Sequence, residues 1–430
     1  MKKKLRIAVN AQIPAGSGSG GIETVLRVLT SLGQLEGDEE YVFIGHWSGS
    51  EWLMPLLNER QTLIRAPHPE PQHKSGQIEN IKRLLGPVRP IARGLKHLLT
   101  RQKPSELNIG IPVSDGFYES LNCDVIHFPY QDFVNCRMPA VYNPHDLQHL
   151  HYPQFFTPEE SKRREVIYPA ACRAAHTVVV ASQFVKQDIK EKYNVEADKI
   201  QVIPWSPPKI SLHDLTEEES RILFEKYDLP PHPFILYPAM TWEHKNHILL
   251  LEAIALLRER DGLKINLVCT GHKNEFYPVI EKRLRELNLE GQVKFTGIVE
   301  YEELSIFYRR AQFVIVPTLF EAASAPLFEA WQHGAPVACS AVTSLPEQAA
   351  DAALLFDPFS VDGIATAINT MTSDENKRTG LRNRGYERLQ NFDAGRTARA
   401  YRAVYRKVAG VTLSEEDLHL LKWDWMRDSK

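Results

Sequence analysis

Four short stretches of the 430-residue chain carry residues whose types and spacing suit chemistry. The first is Ala15-Gly16-Ser17-Gly18-Ser19-Gly20-Gly21-Ile22-Glu23, expected to lead into a helix from about Thr24. Glycines let a backbone approach a ligand, and the free N–H groups of a helix start attract an anion. The stretch matches neither G-x-x-x-x-G-K-[ST] nor a clean G-x-G-x-x-G with a downstream acid, so a flexible loop is the alternative. The second is Asn143-Pro144-His145-Asp146-Leu147-Gln148-His149. Its His–Asp pair suits a polarising group, a proton handler or a ligand pair; a plain surface loop is the competing reading. His149 and His151 invite a metal, but no carboxylate–His spacing falls on one helical face, so no metal is expected.

The third stretch is Pro238-Ala239-Met240-Thr241-Trp242-Glu243-His244-Lys245-Asn246-His247. A lysine just ahead of a helix start is poorly placed, since cations prefer the other end. A nearby anion such as a phosphate removes the conflict; a solvated lysine is the alternative. The fourth is Pro317-Thr318-Leu319-Phe320-Glu321-Ala322-Ala323-Ser324-Ala325-Pro326-Leu327-Phe328-Glu329. Small residues precede Pro326, a natural first helical residue, and make a second anion site. Two carboxylates, Glu321 and Glu329, suit sugar hydroxyls, which donate hydrogen bonds. Together the stretches offer two N–H-rich loops, a lysine, a histidine and two acids. That set suits a diphosphate with sugars at both ends.

Such residues act together only if the chain between them brings them to one place. Apolar runs at 6–9, 41–45, 125–128 and 177–181 read as strands buried on both faces of a parallel sheet. A strand-like 140–142 precedes His145. Between 177–181 and a strand at 200–203 lies a helix capped by Ser182, with Phe184, Ile189 and Tyr193 at helical spacing. Pro204, Pro207 and Pro208, then Pro230, Pro231 and Pro233, bracket a charged helical piece at 217–227 and mark a boundary. Beyond it strands at 234–237, 265–269, 293–296, 313–316 and 336–340 alternate with helices at 246–260, 278–287, 302–309 and 327–333. The pattern predicts an α/β protein with two doubly wound, Rossmann-like domains facing across a cleft. The expected division is 1–206, a linker at 207–232, a second domain at 233–390 and a C-terminal helix, 391–430, packing back across both. In such sheets ligands lie outside the carboxyl ends of the strands, where the four stretches fall.

Composition narrows the class. Fifty-one Lys and Arg against 54 Asp and Glu give a formal charge of −3, which argues against coating nucleic acid. Five scattered cysteines, never C-x-x-C, argue against a disulfide framework and fit a reducing cytosol. The apolar run after the basic start MKKK ends at Val9, too soon for a secretory core, and no stretch approaches the roughly 20 apolar residues of a membrane span.

In order along the chain, these motifs resemble the retaining GT-B glycosyltransferases of family 4, most strongly over residues 234–358. PTLFEAASAPLFEAWQHGAPVACSAVTSLPE resembles the family's E-x7-E block, with Glu321 and Glu329 as its acids. YPAMTWEHKNHILLLEAI resembles its phosphate-lysine block, with Lys245 as the lysine. Gly20-Gly21-Ile22-Glu23 is similar to the GG-[IV]-E loop, His145-Asp146 to the active-site histidine motif, and Phe295-Thr296-Gly297 to the segment near the nucleotide base. The resemblance implies roles. Glu329 would bind the ribose; Glu321 and the amides around Ala322, Ala323, Ser324 and Ala325 would hold the donor sugar. Lys245 would neutralise the diphosphate, Gly20 and Gly21 would cap it, His145 would touch the donor sugar, and His244 and Gly297 would complete the donor site. Three departures stand out. Ala322-Ala323-Ser324 replaces the usual Gly-Phe-Gly, and Trp205-Ser206 replaces Asn-Gly. Ala239 and Met240 stand where the phosphate arginine is usual, leaving His244, Thr241 or another basic residue to substitute.

The activity implied is retaining transfer of a hexosyl group from a UDP- or GDP-linked sugar, metal-independent and without a further cofactor. The acceptor would be a hydroxyl of a glycan or lipid-linked saccharide in polysaccharide biosynthesis. Residues 74–103 carry eight Lys or Arg, one acid (Glu79) and apolar residues near helical spacing. This points to an anionic membrane surface as a further partner, with the protein cytoplasmic and peripheral on the inner face; a helix pair packed on its own sheet is the alternative. The competing functions are a nicotinamide dehydrogenase, an epimerase- or phosphorylase-like GT-B protein, and a non-catalytic nucleotide-sugar binder.

Overall fold

A computed structural model of the chain describes residues 4–13, 20–68, 110–207, 216–229 and 233–427. Residues 15–19 of the glycine stretch and the basic stretch 74–103 lie outside the described residues. The first half builds a seven-stranded sheet from β1 (Arg6–Ala11), β2 (Glu40–Gly45), β3 (Gln61–Arg65), β4 (Val125–Phe128), β5 (Ala140–Tyr142), β6 (Thr177–Val180) and β7 (Ile200–Val202). Its order is β3-β2-β1-β4-β5-β6-β7. The second half builds a six-stranded sheet from β8 (Ile235–Pro238), β9 (Leu267–Thr270), β10 (Val293–Gly297), β11 (Val314–Val316), β12 (Val337–Ser340) and β13 (Ala353–Phe356). Its order is β10-β9-β8-β11-β12-β13. Neighbouring strands pair parallel throughout. The β-branched runs explain this: TVVV of β6 and VIV of β11 are buried at every position.

The helices that cover or join the first sheet are α1 (Gly20–Ser31), α2 (Phe117–Ser120), α3 (Gln148–His151), α4 (Pro158–Ala174) and α5 (Gln183–Tyr193). Those of the second half are α6 (Glu217–Lys226), α7 (His247–Asp261), α8 (Tyr277–Glu286), α9 (Tyr301–Arg310), α10 (Ala325–Gln332), α11 (Leu345–Ala349), α12 (Val361–Ser373) and α13 (Glu375–Leu389). The chain ends in α14 (Ala394–Val408) and α15 (Glu415–Lys422). Each sheet has its own core. The first contains Val9, Phe43, Ile126 and Val179; the second contains Leu236, Val268, Ile315 and Trp331. Tyr401, Tyr405, Leu420 and Trp425 of the C-terminal segment belong to the first core, while Met426 packs on the second.

Several expectations change. α1 begins at Gly20, four residues before Thr24, so Gly20 and Gly21 supply first-turn amides instead of a preceding loop. Pro326 is the second residue of α10, after Ala325. Edge strands β3 and β13 were not expected: QTLIR of β3 mixes polar and apolar residues, and ALLF of β13 is apolar but only four residues long. Leu418 of α15 is 46% exposed, whereas Leu420 and Trp425 are buried in the first core. Among the described residues no helix is long and apolar enough to cross a membrane.

Candidate functional site

Each sheet reverses its order at one pair of neighbours, β1/β4 in the first and β8/β11 in the second. A crevice opens at such a switch point, outside the strand ends. The glycine stretch follows β1, the lysine stretch β8 and the E-x7-E stretch β11, so three of the four stretches leave switch-point strands. The fourth, with His145, follows β5.

Lys245 ends the 3-10 turn Glu243–Lys245 just before α7. Asn246 fixes this turn against the fourth stretch. It adopts φ +61°, and its Nδ2 donates to the carbonyls of Pro317 at 3.0 Å and Pro358 at 2.9 Å. The Lys245 Nζ meets Glu321 Oε1 at 2.5 Å. The lysine's poor position at a helix start is thus offset by a carboxylate of the protein itself. Burial pushes the Glu321 carboxyl up, while Lys245 pulls it down and the charge of Asp146 pushes it up further. That coupling to Asp146 sets the histidine loop of the first half against the pair.

Beyond Glu321, the small residues enter α10. Ala322, Ala323 and Ser324 are buried. Ser324 is the N-cap, yet its side chain caps no amide, and its Oγ is buried without a hydrogen-bond partner. Its backbone is clamped instead by Gln348, which accepts from its N–H at 2.8 Å and donates to its carbonyl at 2.7 Å. An orphan hydroxyl beside the open amides of an eight-residue helix suits an anion. Ala325 opens that helix.

Glu329 lies on α10, its Oε2 accepting from the Tyr308 hydroxyl at 2.6 Å. Burial raises its carboxyl and the Tyr308 bond opposes the rise. The Tyr308 ring stacks on His333 at 5.4 Å. Gly20 and Gly21 open α1, and Arg27 on the same helix is exposed. Its charge reaches Tyr301 on α9, whose hydroxyl burial and Glu329 push up to about 12.

His145 holds φ +68° and is buried, its Nε2 at 2.8 Å from the Pro129 carbonyl. A carbonyl only accepts, so Nε2 carries the proton and Nδ1 is the ring's acceptor. Burial holds the ring below the usual imidazole range, with Pro129 and Asp146 opposing. His244 is pulled down to about 2 by burial and by Lys245, so it is neutral and supplies no charge in place of an arginine. Thr241 is buried and bonded to Asn274 at 2.8 Å. Gly297 ends β10 with φ +80° where the register against β9 shifts, and its carbonyl accepts from Gly271 at 2.8 Å. Phe295 lies between the rings of His247 and Tyr277, at 5.8 and 5.4 Å. Among the described residues no three His, Cys, Asp or Glu side chains are grouped to hold a metal ion.

The structure thus gathers Lys245, Glu321, Ser324 and the His145–Asp146 loop at one end and sets Glu329 against Tyr308 at the other. Tyr308, Asn246 and Gln348 were not read from the sequence. The turn at Asn246 had one signal, an Asn directly ahead of an apolar helix.

Residues 19–205 match the family described as Glycosyltransferase Family 4, and residues 220–388 the one described as Glycosyl transferases group 1. The O-antigen chain mannosyltransferase B of Escherichia coli is 27% identical over 281 residues, 61% of this chain and 71% of that protein. The D-inositol 3-phosphate glycosyltransferase of Corynebacterium aurimucosum is 23% identical over 366 residues, 79% and 85% of the two chains. The crystal structure of Anabaena HepE in complex with UDP and glucose superposes with TM-score 0.66 at 15% identity, covering 94% of this chain and all (100%) of that one.

Proposed function

From the premise that the chain belongs to the GT-B glycosyltransferases of the family 4 type, we propose that it transfers a hexosyl group from a UDP- or GDP-linked sugar. The acceptor in this reading is a hydroxyl of a glycan or lipid-linked saccharide in polysaccharide assembly. Retention and metal independence belong to the reading as well. The relative named as an O-antigen chain mannosyltransferase supports the acceptor class, and the HepE complex with UDP and glucose supports a nucleotide-sugar donor.

One observation carries the proposal: a single ammonium, an orphan buried hydroxyl and a helix start converge beside a carboxylate. Attack of the acceptor hydroxyl oxygen on the anomeric carbon breaks the bond to the diphosphate; negative charge grows on the departing oxygen, and the acceptor's proton passes to the diphosphate. Fixed donors at that point lower the barrier without a strong acid. Lys245, Ser324 Oγ and the first amides of α10 are such donors. As the diphosphate takes up Lys245, Glu321 is released to accept from sugar hydroxyls. Glu329, fixed by Tyr308, accepts from the ribose. His145 presents Nδ1 as an acceptor to the donor sugar. The neutral His244 leaves Lys245 as the cation of this cluster.

The test is a thermal-shift panel of UDP, GDP and their sugars, since a ligand of the native state alone raises its stability. A labelled-sugar transfer assay follows with the donor found. Stabilisation by one nucleotide series, with transfer that needs an acceptor, is the expected result. Product without acceptor points to an epimerase or phosphorylase; binding without any turnover overturns catalysis.

A further inference from the structure

The seam between the halves carries a relay that the transfer chemistry above does not use. Glu347, on α11 of the second half, turns its carboxylate to the first half. Its Oε2 accepts from the Gln183 N–H at 3.1 Å and its Oε1 from the Phe184 N–H at 2.9 Å. These are the first two amides of α5, which have no partner within their own helix. Ser182, the N-cap, serves only the Val185 amide, at 3.3 Å. An acid of one half thus completes the helix start of the other, where negative charge is favoured.

The same turn grips the donor loop. Thr343 Oγ1 accepts from the Glu321 N–H at 3.0 Å, and Ser344 Oγ donates to the Glu321 carbonyl at 2.9 Å. Gln348, the next residue after Glu347, clamps both backbone groups of Ser324. Arg388 ties the turn from behind, donating to the carbonyls of Glu347 and Gln348 at 2.7 and 3.0 Å. The loop itself leans on the first half. Ala322 belongs to the first core, and the Phe320 ring lies 6.0 Å from Phe184 and 5.5 Å from His151. Ala322, the first of the three residues that replace the expected Gly-Phe-Gly, therefore packs into the seam.

We propose that Glu347 is a positioning residue that couples closure of the two halves to the geometry of the donor loop. Capping α5 holds residues 343–348, and these hold Glu321 and Ser324. When the halves part, the cap is lost and the loop relaxes, so a full set of donor contacts forms only in the closed molecule. The inference rests on the donor-loop reading above.

The experiment compares the full chain with Glu347→Ala, Glu347→Gln and Gln183→Pro. The last removes one amide donor from the opposite side of the contact, at a first helical position that tolerates proline. Amide hydrogen exchange is followed in the peptides 183–186 and 320–326, with kcat and KM for transfer. Glu347→Ala is expected to speed exchange at least tenfold in both peptides and to lower kcat at least tenfold, with KM moved less than threefold. Gln183→Pro is expected to speed exchange in 320–326 although that loop is not altered. Glu347→Gln, which keeps one acceptor oxygen, falls between Glu347→Ala and the unaltered chain. Faster exchange confined to 183–186, or kcat within twofold of the unaltered chain, overturns the coupling. If Glu347→Ala does not fold, the exchange of Gln183→Pro and Glu347→Gln decides. The exchange needs no substrate, so a chain without transferase activity sinks the functional reading while the relay is still tested.

Discussion

At the scale of single residues, the site is set by charges that are costly to bury. Lys245 and Glu321 neutralise each other at 2.5 Å. Replacing Lys245 by Ala strands an acid whose carboxyl burial already pushes up and, on the proposed function, removes an ammonium that faces the developing charge. Transfer is expected to fall by roughly 100- to 1,000-fold, comparable to loss of an oxyanion donor; initial rates at saturating donor check this. Glu329 gives a test with opposite signs. Its folded-state pKa is raised, so the stability tied to its protonated form is full below the ordinary value of 4.5 and is lost as pH rises through the folded value. Glu329→Gln, always neutral, is therefore expected to raise Tm at pH 7–8, with the gain shrinking toward pH 4. The same change is expected to weaken nucleotide binding about tenfold, the scale of one lost charged hydrogen bond. Melting across pH and calorimetric titration read the two effects; a lower Tm at pH 7 refutes the burial argument. That Lys245 meets a negative charge was legible in the sequence, because a cation beside a helix start conflicts with its surroundings unless it finds an anion. Tyr308 and Gln348 were not, because a tyrosine or glutamine on an amphipathic pattern says nothing about which distant carboxylate or amide it will meet.

At the scale of elements, a C-terminal helix secures the first half's histidine loop. Fully buried His127 on β4 meets the Tyr405 hydroxyl at 2.7 Å through Nδ1 and Asn143 Oδ1 at 2.9 Å through Nε2. Asn143 Nδ2 in turn donates to the Tyr401 hydroxyl at 3.1 Å. Burial pulls His127 down to about 4, so it is neutral, with Nε2 donating and Nδ1 accepting. Tyr401 and Tyr405 lie on α14, and Asn143 stands two residues before His145. Tyr405→Phe leaves the buried Nδ1 without a donor, a loss of about 1–3 kcal/mol. On the proposed function, in which the second half holds the nucleotide, the expected outcome is a Tm lower by several degrees and a kcat reduced several-fold with nucleotide affinity unchanged. A parallel drop in nucleotide affinity contradicts this division of labour. The inner strands were legible because parallel strands buried on both faces read as unbroken apolar runs. β3, an edge strand reading QTLIR, mixes polar and apolar residues and leaves no such run, whereas ALLF of β13 is such a run but only four residues long. The start of α1 was misplaced for a related reason: glycines signal a loop by propensity, whereas Gly20 and Gly21 sit in the first turn of a helix.

At the scale of the whole molecule, the last residues join what the sheets separate. α14 and α15 are pinned to the first half by Arg406, which meets Glu39 at 2.5 Å and Asp417 at 3.0 Å. Trp425 is then fully buried in the first core, and the next residue, Met426, packs on the second. The halves also touch through the Glu347 cap, through the Tyr152 hydroxyl, which donates to the Leu319 carbonyl at 3.2 Å, and through Phe320 against Phe184 and His151. The tail adds a continuation of the chain that makes unfolding of one half felt by the other. Trp425→Ala empties a large site in the first core, a loss of about 3–5 kcal/mol. For a unit of this size that lowers melting by roughly 10 °C. Because Met426 loses its anchor in the same step, calorimetry is expected to resolve two transitions in Trp425→Ala where the unaltered chain gives one, the first half melting early and the second near its original temperature. A single transition displaced as a whole shows instead that the seam, without the tail, is enough to hold the two sheets in one cooperative unit.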